Sequence, residues 1–155
     1  MKKPFHRIIL DTINITLPIF VGGAIYLLFR PTNLLMFRWV EALELNDTLN
    51  SLRHTTKQIL DWADGFIIFN APTMLWTFSF TYAIALIWRG HRYQAIRIVF
   101  LTIVCLVAIL SEISQLFGMI HGTYDSQDLL ANITGFLAAI YFTNSRKINH
   151  ETRSC

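Results

Sequence analysis

Ile98-Val99-Phe100-Leu101-Thr102-Ile103-Val104-Cys105-Leu106-Val107-Ala108-Ile109-Leu110-Ser111-Glu112-Ile113-Ser114-Gln115-Leu116-Phe117 carries a single charged side chain, Glu112, in an otherwise uncharged and mostly apolar run. A helix of about 20 such residues covers the hydrocarbon core of a bilayer, so this run predicts a transmembrane helix. Three more apolar stretches lie on either side of it, from about Ile9 to Phe29, Ala71 to Trp88 and Leu129 to Phe142. The second and fourth stretches in chain order are short for full crossings and need interfacial residues at their ends. The chain has 155 residues, 54% hydrophobic and 15% charged, an apolar excess over soluble domains that requires a surface other than water. The expectation is one all-α membrane domain over residues 1–155, a four-transmembrane-helix bundle.

Charge placement orients that bundle. The formal net charge of +3 would suit a nucleic-acid binder, but outside the first connection the basic residues fall in three groups. Lys2, Lys3 and Arg7 precede the first span, Arg89, Arg92 and Arg97 flank the second connection, and Arg146, Lys147 and Arg153 follow the last span. Four crossings put all three groups on one side, the positive-inside pattern, which accounts for the charge without nucleic acid. The first connection sets Arg30, Arg38, Arg53 and Lys57 against Glu41, Glu44, Asp47, Asp61 and Asp64, and the third connection has no Lys or Arg. Both termini are therefore expected in the cytoplasm and both of these connections outside. Lys2 and Lys3 before an apolar stretch also describe a secretory signal. Asp11, Asn14 and Pro18 interrupt this one, and it ends Phe29-Arg30-Pro31 without a small-residue cleavage site, so it reads as a retained anchor. Cys105 falls mid-membrane and Cys155 is the last residue, so no disulfide joins them.

Within the first span Asp11, Asn14 or Ile15, Pro18 and Gly22 recur at helical spacing and make a polar, small stripe that should face other helices. Pro18 should bend that helix, and Gly22-Gly23 permits a close neighbour. The external connection, about 33–64, carries Leu35, Met36, Trp39, Val40 and Leu43 on one face of an amphipathic surface helix. Asn46-Asp47-Thr48 then opens a second one, with Leu49, Leu52, Ile59 and Leu60 as its apolar positions. Asp61 to Gly65 reads as a turn, and Phe66-Ile67-Ile68-Phe69 as an interfacial dip. Asn70 should cap the second transmembrane helix, with Pro72 in its first turn. Trp62, Trp76 and Trp88 are placed as interfacial anchors.

The polar residues of the last two spans are the least expected in a membrane. A charged group at the centre of a lipid-facing helix costs roughly 2.5–3.5 kcal/mol on insertion scales, so Glu112 needs protein or water beside it. Glu112 and Gln115 share a face, and Asp125, Asp128, Asn132 and Gly135 step by three, four and three along the next helix. The third span should rise toward the outer surface and the fourth descend from it, which brings the two polar faces together just beneath that surface. Gly135 would let these two backbones approach closely.

Glu112-x-x-Gln115 followed by Gly122-Thr123-Tyr124-Asp125-x-x-Asp128-x-x-x-Asn132-x-x-Gly135 resembles the C-terminal half of the VanZ-like family of small bacterial membrane proteins, over roughly residues 105–142. Many members carry an Arg just before the Asp run, where this chain has His121-Gly122-Thr123. The resemblance implies a helical bundle in a bacterial inner or plasma membrane and a link to glycopeptide tolerance, the setting that gave the family its name; it brings no settled mechanism.

Two readings of the cluster compete. In one, Glu112, Gln115, Asp125, Asp128 and Asn132 line an outward-facing pocket for an envelope component, a membrane lipid or a lipid-linked precursor. In the other, Asp125 and Asp128 cap a helix whose Asn132 hydrogen-bonds Glu112. An enzyme is the runner-up class: the three acids could do acid–base work on a lipid-linked substrate or hold a divalent cation through oxygen. Ser114, His121 and Asp125 fit no nucleophile motif, and the His and Cys spacings fit no zinc site. A transporter, or a subunit of one, would require a homo-oligomer or a membrane-protein partner, because four helices with no inverted repeat leave little room for a path. No cofactor is expected.

Overall fold

A computed structural model of the chain describes residues 3–32, 35–60, 65–89, 94–119 and 124–151. Among these residues all regular structure is helical: α1 (Lys3–Phe29), α2 (Leu35–Ala42), α3 (Asn46–Leu60), α4 (Gly65–Phe69), α5 (Ala71–Ile87), α6 (Gln94–Leu116) and α7 (Ser126–Glu151). Two stretches, Phe5–Phe29 of α1 and Gln94–Leu116 of α6, are long and apolar enough to cross a membrane. Only 6% of the most apolar window of each is buried, which separates both from the core helix of a soluble domain. α5 is apolar but shorter, and α7 continues well past the predicted apolar stretch into its charged tail.

The core is built around α5. Tyr82 and Ala85 on it are fully buried, as are Ser79 and Thr81, and Ala131 and Ala139 of α7 are buried too. α5 is polar on two faces because it has a helix against each. Toward α1, Trp76 donates from Nε1 to the Ile19 carbonyl at 3.3 Å, Ser79 donates to the Ile15 carbonyl, and Tyr82 donates to Asp11 Oδ1 at 2.6 Å. Rising numbers on α5 meet falling numbers on α1, so the two helices are antiparallel. Of the predicted stripe of Asp11, Asn14 or Ile15, Pro18 and Gly22, Asp11 and Ile15 supply partners, whereas Asn14 donates to the Leu10 carbonyl of its own helix; α1 runs through Pro18 without a break. Gly22 is where the helices come closest, since a β-carbon there would lie 2.7 Å from Trp76 Nε1. Gly23 has open space instead.

Toward α7 the pairs run in parallel: Asn70 with Gln127, Thr77 with Asn132, Phe78 with Phe142 and Arg89 with the Thr143 carbonyl. Gly135 permits this packing, for a β-carbon there would collide with the Met74 carbonyl of α5. The expectation that Gly135 brings the third and fourth predicted spans together is thereby corrected. Its partner is the second, because the face bearing Asn132 and Gly135 is turned toward α5. α6 closes the arrangement, with Trp88 stacked on Phe100 at 5.0 Å near its start and Glu112 near its end.

Local geometry explains where these helices stop. α6 ends at Gly118, whose φ of 67° takes the left-handed conformation that closes a helix. Gly118 N–H donates to the Gln115 carbonyl at 3.0 Å and Met119 N–H to the Ser114 carbonyl at 2.8 Å. Glu44 performs the same turn after α2 at φ 57°, with its N–H on the Glu41 carbonyl and Leu45 N–H on that of Val40, both at 3.0 Å. Helices α2 and α3 form where the two amphipathic segments were expected, but Phe37 and Val40 are buried whereas Trp39 and Leu43 are exposed. α3 is tied to the end of α1 by Arg53, which donates to the Arg30 carbonyl and lies over the Phe37 ring. The predicted turn at Asp61–Asp64, Trp62 with it, and the side chains of Leu35, Ile59 and Leu60 lie outside the described residues.

Candidate functional site

The predicted site residues sit on two helix ends that face each other. Gly118 stops α6 a turn and a half beyond Glu112, and α7 begins at Ser126, so Glu112 meets the first turn of α7. Asp125 is the cap of that helix: its Oδ1 accepts the Gln127 N–H at 2.8 Å. The Asp125 main-chain N–H is in turn taken by Glu112. In a capping box that N–H would go to an acid three residues on in the same helix. Here Asp128 occupies that position, and the acceptor comes from α6 instead.

Asp128 is thereby released to face elsewhere. It meets the Thr73 hydroxyl of α5 and the field of Arg30 at the end of α1. Burial pushes its carboxyl above the ordinary range, Arg30 pulls against that, and Asp125 adds to it. Asn132, 5% exposed, accepts from the Thr77 hydroxyl. That corrects the expected Glu112–Asn132 hydrogen bond: α7 points Asn132 at α5, and Glu112 sits higher, at the α7 cap. Gln115 is half-buried one turn beyond Glu112 on α6. The structure thus brings Glu112, Asp125 and Asp128 into electrostatic contact and assigns Asn132 to the α5–α7 seam.

Asn70 departs from expectation too. It occupies the cap position of α5 but makes no side-chain cap hydrogen bond. Its backbone is already helical, at φ −109° and ψ −26°, because α4 leads straight into it. Its Nδ2 donates to Gln127 Oε1 at 3.0 Å instead.

Four residues of this neighbourhood were not singled out as site residues from sequence: Arg30, Asn70, Thr73 and Thr77. The signal for three of them was present. Asn70, Thr73, Thr77 and Thr81 step by three, four and four along one face of an otherwise apolar helix. Arg30 had no such signal, because the chain segment that brings it to Asp128 is the turn out of α1. Its Nη2 donates to the Phe69 carbonyl at 2.8 Å, and its guanidinium lies 5.0 Å from the Phe69 ring centre and 5.7 Å from that of Tyr26.

Three acceptors remain without a hydrogen-bond partner although their atoms are buried: Glu112 Oε2, Asp128 Oδ1 and Asn70 Oδ1. Among the described residues no three His, Cys, Asp or Glu side chains come together as a metal site would require. His121 and Thr123 lie outside the described residues. Neither a family model, a curated protein nor a solved structure matches the chain.

Proposed function

We propose that the chain is a VanZ-like membrane protein crossing the bilayer four times, with both termini cytoplasmic, that binds an envelope component at an outward-facing site built on Glu112 and Asp128. Gln115 and Asp125 flank the site and Asn132 underlies it. The observation that carries the reading is the buried Glu112 and the partly buried Asp128, whose Oε2 and Oδ1 atoms are shielded from solvent and keep unused acceptor capacity after capping is complete. A buried polar group without a partner costs roughly 1–3 kcal/mol, so a cluster of them implies something else to bind.

The helix directions support four crossings. α1 and α5 are antiparallel, α5 and α7 parallel, and α6 returns from the Trp88 end of α5 to the Asp125 end of α7. Arg7, Arg89 and Arg97 then gather at the end opposite Glu112, where Arg97 donates to Asn144 and Arg89 to the Thr143 carbonyl. Large apolar side chains cover the outside of α1 and α6, among them Leu17, Phe20, Val107 and Leu110. The family assignment rests on the residue string Glu112 to Gly135, and the link to glycopeptide tolerance rests on the family assignment.

The test is Glu112→Gln, which keeps shape and hydrogen-bonding ends but removes the charge. Membrane abundance and thermal stability should stay close to those of the parent, while any glycopeptide-tolerance or envelope phenotype is lost. An abundant, stable and fully active Glu112→Gln protein would make the cluster architecture only.

A further inference from the structure

The orphan acceptors of the site come from three different elements. Glu112, 5% exposed, stands on α6, Asp128 on the first turn of α7, and Asn70, 1% exposed, at the junction of α4 with α5. Asn70 is tied to the same turn as Asp128 through Gln127. Beside them is an unused cation. Arg30 acts on Asp128 through its charge, yet the two form no ion pair; among the described residues the ion pair is Arg7 with Asp11, at the other end of α1. Arg30 spends Nη2 on the Phe69 carbonyl, and its Nε is buried without a partner. Arg53, which holds the Arg30 carbonyl, likewise has Nη1 unpartnered.

Positive and negative groups thus face one another without joining, each with polar atoms to spare. We propose that these groups bind a zwitterionic headgroup, a primary ammonium beside a phosphate, with the ammonium held by Glu112 and Asp128 and the phosphate toward Arg30. The inference rests on the binding role proposed above and names its ligand class. A primary ammonium carries three N–H donors and no acceptor, which suits a pair of coupled carboxylates with acceptor capacity left over. A guanidinium is suited to phosphate oxygens. A bare metal ion would need a closed shell of oxygen ligands, which these residues do not supply. A quaternary ammonium has the charge but no N–H to give. Arg30 and Asp128 are only partly buried.

The same chemistry exists in phosphatidylethanolamine and in soluble phosphoethanolamine, so the test has two arms. The full chain, purified in detergent, is loaded with phosphatidylethanolamine carrying a fluorophore on an acyl chain. Unlabelled phosphatidylethanolamine, phosphatidylcholine and phosphatidylglycerol of equal acyl composition compete in one arm, and phosphoethanolamine and phosphocholine in the other. Phosphatidylethanolamine should displace the probe at a concentration at least about tenfold below the other two lipids, the size expected for losing a charge-assisted hydrogen bond. Discrimination confined to the lipid arm supports the proposal with a lipid as the source; discrimination in both arms supports it with the headgroup as sufficient. Equal competition within both arms overturns it. In that event, weaker binding of every lipid to Asp128→Asn or Glu112→Gln would leave the binding site standing without the ammonium, whereas unchanged binding would remove both. The parent-protein comparison needs no variant, so a misfolded mutant cannot obscure the outcome.

Discussion

Asp125 and Asp128 differ by three positions and look alike in the sequence, yet they do different work. Asp125 spends its carboxylate on the Gln127 amide, a task that asparagine performs equally well. Asp125→Asn should therefore be nearly neutral, while Asp125→Ala should destabilise by about 1 kcal/mol in reversible unfolding in detergent. Equal losses for both would remove the capping role. Asn132 offers a second comparison. It is paired with Thr77, so a double-mutant cycle of Thr77→Val and Asn132→Ala should show a coupling of about 0.6–1.7 kcal/mol, the range for hydrogen bonds between membrane helices. The Glu112–Asn132 cycle should show little coupling, and a large one would restore the pairing expected from sequence. Which residues are polar was legible; their partners were not. A step of three or four along a helix says that Asp128 and Asn132 share a face, but the direction of that face depends on how the helix is rotated in the bundle.

At the level of the helices, rotation is set by glycine. Gly135 brings α7 onto the α5 backbone, with a would-be β-carbon 3.2 Å from both Met74 C and Phe78 N in addition to the colliding carbonyl. Backbone cannot step aside as a side-chain tip can, so Gly135→Ala should cost about 1–3 kcal/mol in the same unfolding assay. Gly23→Ala meets nothing within 4 Å and should be neutral or gain up to about 1 kcal/mol from helix propensity. If the two substitutions behave alike, the α5–α7 contact is not as close as described. The glycine-bearing stripe of α1 could be read from sequence because Asp11, Pro18 and Gly22 recur at helical spacing along one face of that helix. For α7 the polar face was just as clear, but α5 competed with α6 for it. The apolar sequence of α5 hid its capacity to do so in Thr73 and Thr77, whose hydroxyls look unremarkable in a threonine-tolerant membrane helix.

The whole molecule raises the question of which end faces out. Apolar length suffices to say that α1 and α6 can cross a bilayer, but α5 has 17 residues and the apolar part of α7 is shorter still, so the number of crossings has to come from packing and charge. Packing argues for four. In the proposed topology α5 exchanges hydrogen bonds with α1 through Tyr82 and Ser79 and with α7 through Thr77 and Asn132, so the two shorter helices are expected to share the depth of the longer ones. In the proposed topology charge supplies the direction: Arg7, Arg89 and Arg97 share one end, with the basic tail of α7 leaving from it, and the positive-inside rule would put that end in the cytoplasm. The opposite end carries the mixed charges of α2 and α3 together with Glu112, Asp125 and Asp128. Reporters fused after Arg146 and in the connection from Arg89 to Arg92 should thus read as cytoplasmic, and one inserted near Asn46, in the turn between α2 and α3, as external. Moving the basic groups supplies a control: replacing Arg89, Arg92 and Arg97 with neutral residues should weaken the preference without disturbing Glu112, which lies at the other end. A cytoplasmic signal at Asn46 in the unaltered chain would turn the cluster inward, and an outward-facing binding site on Glu112 and Asp128 would then be untenable.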